Sequence, residues 1–148
     1  MKIALDITPA IRETAGVGRY TRELGAALLR RGDHAYTLMC LARERGPGHF
    51  PVQMFPGQHV VGLPIPERWV TIGWHRLRAP LPIDLLFGKH DVWHFPSFVV
   101  PPVLSGKVVL TIHDLSYRLL PDTATPGLRS FLERAVPRSV RRAHLVVA

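Results

Sequence analysis

A histidine and an aspartate follow the most apolar stretch of the chain. Residues 108–112 read Val-Val-Leu-Thr-Ile, and His113 and Asp114 come directly after them. A β-branched run of this kind predicts a strand buried on both faces, as in a parallel sheet. Open α/β sheets bind ligands outside the carboxyl ends of their strands, so the pair is a candidate site. Position alone leaves two alternatives open: a ligand-binding pair, or a hydrogen-bonded core histidine beside an aspartate that starts a turn.

A second histidine ends another predicted strand. Residues 91–96 read Asp-Val-Trp-His-Phe-Pro, so His94 lies near the end of that strand and Ser97 follows it. Metal sites need more ligands than two histidines, and neither His94 nor His113 has a zinc-type spacing. The lone Cys40 excludes a cysteine-type zinc site and an internal disulfide. We expect no metal and no cofactor, and we interpret both histidines as hydrogen-bonding groups for a polar ligand.

A glycine turn opens a helix near the start of the chain. The turn follows an apolar strand at residues 2–7 and consists of Gly16, Val17, Gly18 and Arg19. Glycines allow backbone N–H groups to come close to a phosphate, and the helix dipole adds positive charge, so the turn suits a diphosphate. The alternative interpretation is a tight turn that needs a positive φ. Thr21 stands where the dinucleotide fingerprint requires its third glycine, which argues against a nicotinamide-dependent dehydrogenase.

Strands alternate with helices along the chain. Further strands are predicted at residues 36–41, 59–62 and 144–148, and a helix is predicted from Thr125 to Val140, with a kink at Pro137. The alternation predicts an α/β fold with a parallel sheet flanked by helices, in one domain over residues 1–148. A protein seldom stops inside a core strand, so we expect the chain to be the front part of something longer.

The formal net charge of +8 bears on partners rather than on fold. Most basic residues are arginines, scattered singly or in pairs, without the aromatic interleaving of single-strand binders. We therefore expect solvated helix faces and no nucleic-acid partner. Nucleotide phosphates and an acidic bilayer surface remain compatible with the sign of the charge.

One segment raises the question of a membrane contact. Residues 67–78 contain two tryptophans among basic side chains and predict a short helix. Packing of one apolar face on the sheet is favoured, and a helix lying on a membrane surface is the alternative. The sequence shows no 18-residue apolar run and no secretory leader, so we expect a soluble, cytoplasmic protein, with a peripheral contact at the inner face of the plasma membrane left open.

Five segments in register resemble the N-terminal domain of family 4 glycosyltransferases, the GT-B group that includes bacterial mannosyltransferases and rhamnosyltransferases. They are DIT at 6–8, AGVGRYTREL at 15–24, DVWHFPSF at 91–98, TIHDLSY at 111–117 and AVPRSVRRA at 135–143. The likeness spans nearly the whole chain, although residues 43–90 match nothing in particular. It implies a Rossmann-like domain that holds the acceptor, facing a second such domain across a cleft.

The resemblance also implies an activity and a role for each site residue. Enzymes of this kind transfer a sugar from a nucleotide diphosphate donor, with retention and without a bound metal, here to a glycan or a lipid-linked acceptor. His113 is then the catalytic residue, beside the transferred sugar. The turn of Gly16, Val17, Gly18 and Arg19 would lie beside the donor diphosphate. The acceptor side would be lined by Tyr20, His94, Ser97 and Asp114.

The family pattern is incomplete in this chain. The resemblance places most donor contacts, including two glutamates spaced E-x7-E, in a second domain that does not occur within residues 1–148. We therefore expect the chain to be half an enzyme that does not turn over alone. The alternative is a stand-alone basic α/β module that binds a polyanion or a membrane surface without chemistry.

Overall fold

The strands of this protein form a parallel sheet of Rossmann type. The computed structural model describes residues 1–12, 16–41, 55–58, 60–63, 72–76 and 81–148. Within these ranges six strands are present: β1 (Lys2–Asp6), β2 (Ala35–Cys40), β3 (Val60–Gly62), β4 (Val92–Phe95), β5 (Lys107–Thr111) and β6 (Leu145–Val147). Their order is β3-β2-β1-β4-β5-β6, and every neighbouring pair is parallel. This order places the topological switch point between β1 and β4.

The helices begin and end where the sequence provides signals. They are α1 (Thr8–Arg12), α2 (Val17–Arg31), a π-helical turn (Ile72–Arg76), α3 (Asp84–Phe87), α4 (Ser116–Leu119), a 3-10 turn (Pro121–Thr123) and α5 (Pro126–Arg142). Gly32 ends α2 in the left-handed conformation, with φ 66°. The Thr125 side chain caps α5 by accepting a hydrogen bond from the Leu128 N–H.

Apolar side chains cover both faces of the sheet. On one face, Leu5 and Leu38 are buried against α2 and Phe55. On the other face, Trp93, Phe95 and Leu110 are fully buried in a larger cluster, which also contains Ile83, Val100 and Trp74. Because both faces of the sheet are covered, β4 and β5 consist mostly of apolar residues.

A third, smaller cluster fixes the helices that follow β5. Tyr117 of α4 packs with Leu132 and Val136 of α5, and Phe98 lies against them. The Ser139 hydroxyl of α5 accepts a hydrogen bond from the Val100 N–H at 2.9 Å. These contacts hold α4 and α5 to the loop that follows β4.

The structure gives the bounds of three predicted elements. The strand predicted at residues 144–148 is β6, which pairs with β5 and whose three residues are exposed. The helix α5 continues through Pro137 to Arg142. The short strand predicted at residues 59–62 is β3, Val60–Gly62, and residue 59 lies outside the described residues.

Only part of the segment at residues 67–78 lies within the described residues. There Trp74 is buried in the sheet cluster and its indole N–H donates to the Leu81 carbonyl oxygen at 2.8 Å. Packing on the core is therefore correct for this tryptophan, and a membrane-facing orientation is wrong for it. Residues 67–71, 77 and 78 lie outside the described residues.

Candidate functional site at the carboxyl edge of the sheet

The carboxyl ends of β1, β4 and β5 lie side by side at the switch point. Leu5 of β1 is in register with His94 of β4, and His94 is in register with Val109 of β5. Side chains alternate along each strand, so these three point to the face that α2 covers, and so does Thr111. The loops that follow β4 and β5 and the first turn of α2 therefore meet above one edge of the sheet.

The first turn of α2 is built on a glycine in a conformation that other residues avoid. Gly16 has φ 55° and ψ −123°, and its carbonyl oxygen accepts a hydrogen bond from the Tyr20 N–H at 3.0 Å. A Cβ atom at Gly16 would meet nothing within 4 Å. The glycine is thus required by its backbone angles, as the tight-turn alternative predicts.

The remaining residues of this turn divide between the core and solvent. Gly18 is buried, Val17 is half-buried and Arg19 is exposed. As a glycine, the N-cap residue offers no side-chain acceptor to the N–H groups of the first turn. The turn can therefore present those N–H groups, the positive end of the helix dipole and one arginine to an anion. Its role with a diphosphate stays a prediction.

His113 is held in a defined orientation by three neighbours. Its Nε2 lies 3.0 Å from the Pro96 carbonyl oxygen, which can only accept, so Nε2 carries the proton. The ring of Tyr20 meets the imidazole edge-on at 4.8 Å between centroids, and the ring of Phe98 does so at 6.0 Å. In the neutral ring Nδ1 is then the hydrogen-bond acceptor.

The contact between Tyr20 and His113 joins two predicted parts of the site. Tyr20 begins the second turn of α2, directly after Arg19, and His113 follows β5. The structure thus brings the glycine turn and the catalytic candidate together, although 93 positions separate them in the sequence. The role of Tyr20 in acceptor binding stays a prediction.

His94 is a neutral hydrogen-bonding group near the carboxyl end of β4. Its Nε2 lies 3.2 Å from the hydroxyl of Thr111, which is buried at the end of β5. Burial lowers the pKa of His94 to about 4. His94 is therefore uncharged at neutral pH and cannot act as a cation toward phosphate. Its predicted contact with the acceptor is untested.

Asp114 stabilises the turn that leads into α4. One of its carboxylate oxygens accepts hydrogen bonds from the Ser116 N–H at 2.8 Å and the Ser116 hydroxyl at 2.6 Å. Both bonds lower the pKa of Asp114, and the bond from the hydroxyl has the larger effect. The aspartate starts the turn into α4, as the turn alternative predicts, and it is exposed. Its predicted role at the acceptor is not tested by these contacts.

Ser97 lies between two residues that contact His113. It is half-buried, and its carbonyl oxygen accepts a hydrogen bond from the Val99 N–H. Pro96 before it holds the imidazole, and Phe98 after it packs on the ring. Ser97 therefore belongs to the loop that positions the histidine, and its own contact with an acceptor remains a prediction.

Asp6 at the end of β1 was not singled out as a site residue from the sequence. Its carboxylate is buried and accepts hydrogen bonds from the N–H and the hydroxyl of Thr8. Burial raises the pKa of Asp6 to about 6, although the bonds from Thr8 lower it in part. The Thr8 hydroxyl also accepts a hydrogen bond from the Leu41 N–H at 2.8 Å, so this network ties β1, α1 and the end of β2 together.

The described residues contain neither a metal-binding cluster nor a membrane-spanning helix. There, no three His, Cys, Asp or Glu side chains come together in a way that could hold a metal ion. None of the helices described is long and apolar enough to cross a bilayer. The expectation of a reaction without metal remains untested.

Comparison with known proteins yields one likeness in structure. No family model matches this sequence, and no curated protein matches it. A solved structure of an alpha-glucosyltransferase in complex with UDP and a 13-mer DNA containing an HMU base superposes with a TM-score of 0.50. The likeness covers 99% of this chain at 18% sequence identity, and this chain spans 37% of the length of that protein. The predicted fold class is confirmed by it: the chain has the Rossmann-like α/β fold of a GT-B glycosyltransferase domain.

Proposed function

We propose that this chain is the acceptor-side half of a retaining glycosyltransferase, of the family 4 type. One observation carries the proposal: the glycine turn of α2 meets His113, through Tyr20, at the switch point of a sheet that a glycosyltransferase shares. Ligands of doubly wound sheets bind at this point. The donor is a nucleotide diphosphate sugar, held largely by a second domain, and the acceptor is a glycan or a lipid-linked sugar.

The groups at the edge suit this chemistry. As the bond between the sugar and the diphosphate breaks, negative charge builds on the diphosphate oxygens. The N–H groups at the start of α2 and the exposed Arg19 can stabilise that charge. In the neutral imidazole of His113, Nδ1 can accept a hydrogen bond from a sugar hydroxyl and hold the sugar in position for attack.

The neutral groups behind His113 suit the acceptor. His94 and Thr111 form an uncharged hydrogen-bonding pair, which can orient a hydroxyl without attracting phosphate to the acceptor side. We place Ser97, Tyr20 and Asp114 at the rim of the same site. In this proposal the reaction uses no metal and no nucleic acid, and it takes place on the cytoplasmic side, at the inner face of the plasma membrane where the acceptor is lipid-linked.

Release of nucleoside diphosphate from a panel of nucleotide sugars tests the proposal. The polypeptide read from the complete gene is incubated with each donor in the presence of glycan and lipid-linked acceptors. We expect acceptor-dependent release from at least one donor. A gene that ends after codon 148, together with no release from any donor, would remove the proposal.

A binding module without chemistry is the second candidate, favoured by the net charge of +8. It predicts that this chain binds polyphosphate with an affinity that falls steeply as salt rises, because counterion release dominates such binding. It also predicts that His113→Ala leaves that binding unchanged. Acceptor-dependent release that requires His113 excludes this candidate.

A further inference from the structure

Two side chains near the end of α5 hold the loop that follows β4. The hydroxyl of the buried Ser139 donates a hydrogen bond to the Ala135 carbonyl oxygen at 3.0 Å. Its proton is thus used within the helix, and its lone pairs are left to accept from the Val100 N–H at 2.9 Å. Arg142, three positions further along α5, donates from Nη1 to the Val100 carbonyl oxygen at 3.0 Å. Neighbouring side chains on one side of α5 therefore satisfy both backbone polar groups of Val100.

Val100 needs these partners because it is buried outside the strands. Its exposed fraction is 1%, and it lies five positions after Phe95, the last residue of β4. A buried N–H or carbonyl group that loses its partner costs free energy comparable to a lost hydrogen bond. In a strand the neighbouring strand supplies these partners, whereas here Ser139 and Arg142 supply them. Loss of either side chain would therefore shift Val100 toward water, together with the residues joined to it.

The residues just before Val100 hold His113. We call residues 96–100 the Pro96 loop. The carbonyl oxygen of Pro96 accepts the hydrogen bond from Nε2 of His113 at 3.0 Å. The ring of Phe98 meets the imidazole at 6.0 Å between centroids. One end of the loop is thus bound to α5, and the other end and the middle fix the imidazole.

The middle of the Pro96 loop is tied both to itself and to α5. A backbone hydrogen bond of 2.6 Å joins the residues on either side of Phe98, from the N–H of residue 99 to the carbonyl oxygen of residue 97. The Phe98 ring packs with Leu132 and Val136, which lie seven and three positions before Ser139 on α5 and so share its side of the helix. A displacement at Val100 therefore reaches Phe98 and the residues before it.

We infer that Ser139 and Arg142 are positioning residues for His113, which they hold through the Pro96 loop. The inference gives a role at the site to the segment at residues 135–143, which carries part of the family likeness. It rests on the proposed function for its effect on sugar transfer. The hold on the imidazole is a property of this chain alone, so it can be measured without any transfer.

Exchange of the His113 ring N–H with water, followed by NMR in this chain, tests the hold on the imidazole. Ser139→Ala and Arg142→Gln should each raise the exchange rate at least about tenfold, because the Pro96 carbonyl oxygen moves away from Nε2. The N–H of Leu110, a fully buried residue of β5, reports any general loss of stability, and the ring N–H should accelerate more than this amide. Because Arg142 is exposed, its variant stays informative where Ser139→Ala unfolds the chain.

Three further variants serve as controls on α5. Arg142→Lys keeps a donor for the Val100 carbonyl oxygen and should exchange close to the parent rate. Arg141→Gln removes the same charge from the neighbouring exposed position, and Ser130→Ala removes a half-buried hydroxyl from the same helix. Both should leave the exchange of the His113 ring N–H unchanged.

Transfer by the protein read from the complete gene gives the second measurement. Ser139→Ala and Arg142→Gln should lower kcat at least about tenfold and leave KM for the donor within about twofold, because they displace a group at the reacting sugar and not the donor contacts of the second domain. Arg141→Gln and Ser130→Ala should transfer as the parent does.

Several results would overturn the inference. They are free exchange of the His113 ring N–H in the parent chain, no faster exchange in either variant, acceleration that only equals that of the Leu110 N–H, and equal acceleration in the controls. Unchanged kcat in both variants would overturn it as well. Absence of transfer by the parent protein would remove the proposed function instead, and the exchange rates alone would then decide whether Ser139 and Arg142 hold the imidazole.

Discussion

The orientation of His113 depends on a hydrogen bond that only one tautomer can make. The Pro96 carbonyl oxygen requires a proton on Nε2, and the rings of Tyr20 and Phe98 hold the imidazole from two sides. The residue before Pro96 ends β4, so the position of this acceptor is set by the sheet itself. A fixed ring presents Nδ1 to a ligand without a reorganisation cost.

The tautomer of His113 can be observed directly. We expect long-range proton–nitrogen correlation spectra of this chain to show the neutral ring protonated at Nε2. Tyr20→Phe should preserve that state, because the edge contact does not use the hydroxyl. Tyr20→Ala should cost about 1 kcal/mol of stability through the lost ring contact. A neutral ring protonated at Nδ1 in the parent chain would contradict this account of the site.

Asp6 should make the protein less stable as the pH rises. Its pKa is about 6 in the folded chain and about 3.8 when unfolded, so the folded state binds the proton more tightly. The resulting stabilisation is complete below pH 3.8 and is lost as the pH rises through 6. Between pH 4.5 and 7.5 this amounts to about 2 kcal/mol.

Urea unfolding of Asp6→Asn at both pH values measures this contribution. The asparagine oxygen can still accept from Thr8, and it does not titrate. The difference in unfolding free energy, variant minus parent, should be larger at pH 7.5 than at pH 4.5 by about 2 kcal/mol. An equal difference at both pH values would show that burial does not raise the pKa of the Asp6 carboxyl.

His94 should make the protein less stable as the pH falls. Its pKa is about 4 in the folded chain against 6.5 when unfolded, so its contribution is present above pH 6.5 and is lost as the pH falls toward 4. His94→Gln should therefore reduce the loss of stability between pH 7 and 4.5 by about 2 kcal/mol. Thermal melts across this range would show the effect. A variant that is as sensitive to acid as the parent would contradict the burial of a neutral imidazole.

At the scale of elements, the start of α2 depends on the backbone conformation of Gly16. Gly16→Ala should destabilise the chain by about 1–2 kcal/mol, because alanine is strained at φ 55° and ψ −123° although the space around it is open. Gly127→Ala is the matched control. It also meets nothing within 4 Å, and it lies in the first turn of α5, where alanine is favoured by about 0.5–1 kcal/mol. In urea unfolding, we expect Gly16→Ala to lower the free energy of unfolding and Gly127→Ala to raise it. A Gly16→Ala variant as stable as the parent chain would contradict the strain argument.

The elements were largely predictable because their signals are local. Thr125 followed by Pro126 marks the start of α5, and Gly32 marks the end of α2. The edge that carries His94 and His113 followed from strands that end in polar residues.

The contacts within the site were less predictable, since they depend on distant parts of the chain. The contact between Tyr20 and His113 and the pairing of His94 with Thr111 arise from strand order and register. The burial of Asp6 arises from its place in the central strand β1. Its position as the last residue of an apolar strand, two residues before Thr8, is the signal that could have identified it.

At the scale of the whole molecule, the fold and the site point to the same edge. The strand order creates a switch point, and the first turns of α2 meet His113 beside it.

Transfer by the protein read from the complete gene, with and without His113, tests the central claim most directly. His113→Ala is compared with His34→Ala, which removes a histidine just before β2, at the opposite edge of the sheet. We predict that His113→Ala lowers kcat/KM for sugar transfer at least about 100-fold, because the sugar is no longer held in position. The variant should stay folded and lose only about 1 kcal/mol of stability through the lost ring contact with Tyr20. His34→Ala should keep full activity. Full transfer by a folded His113→Ala variant would contradict the account.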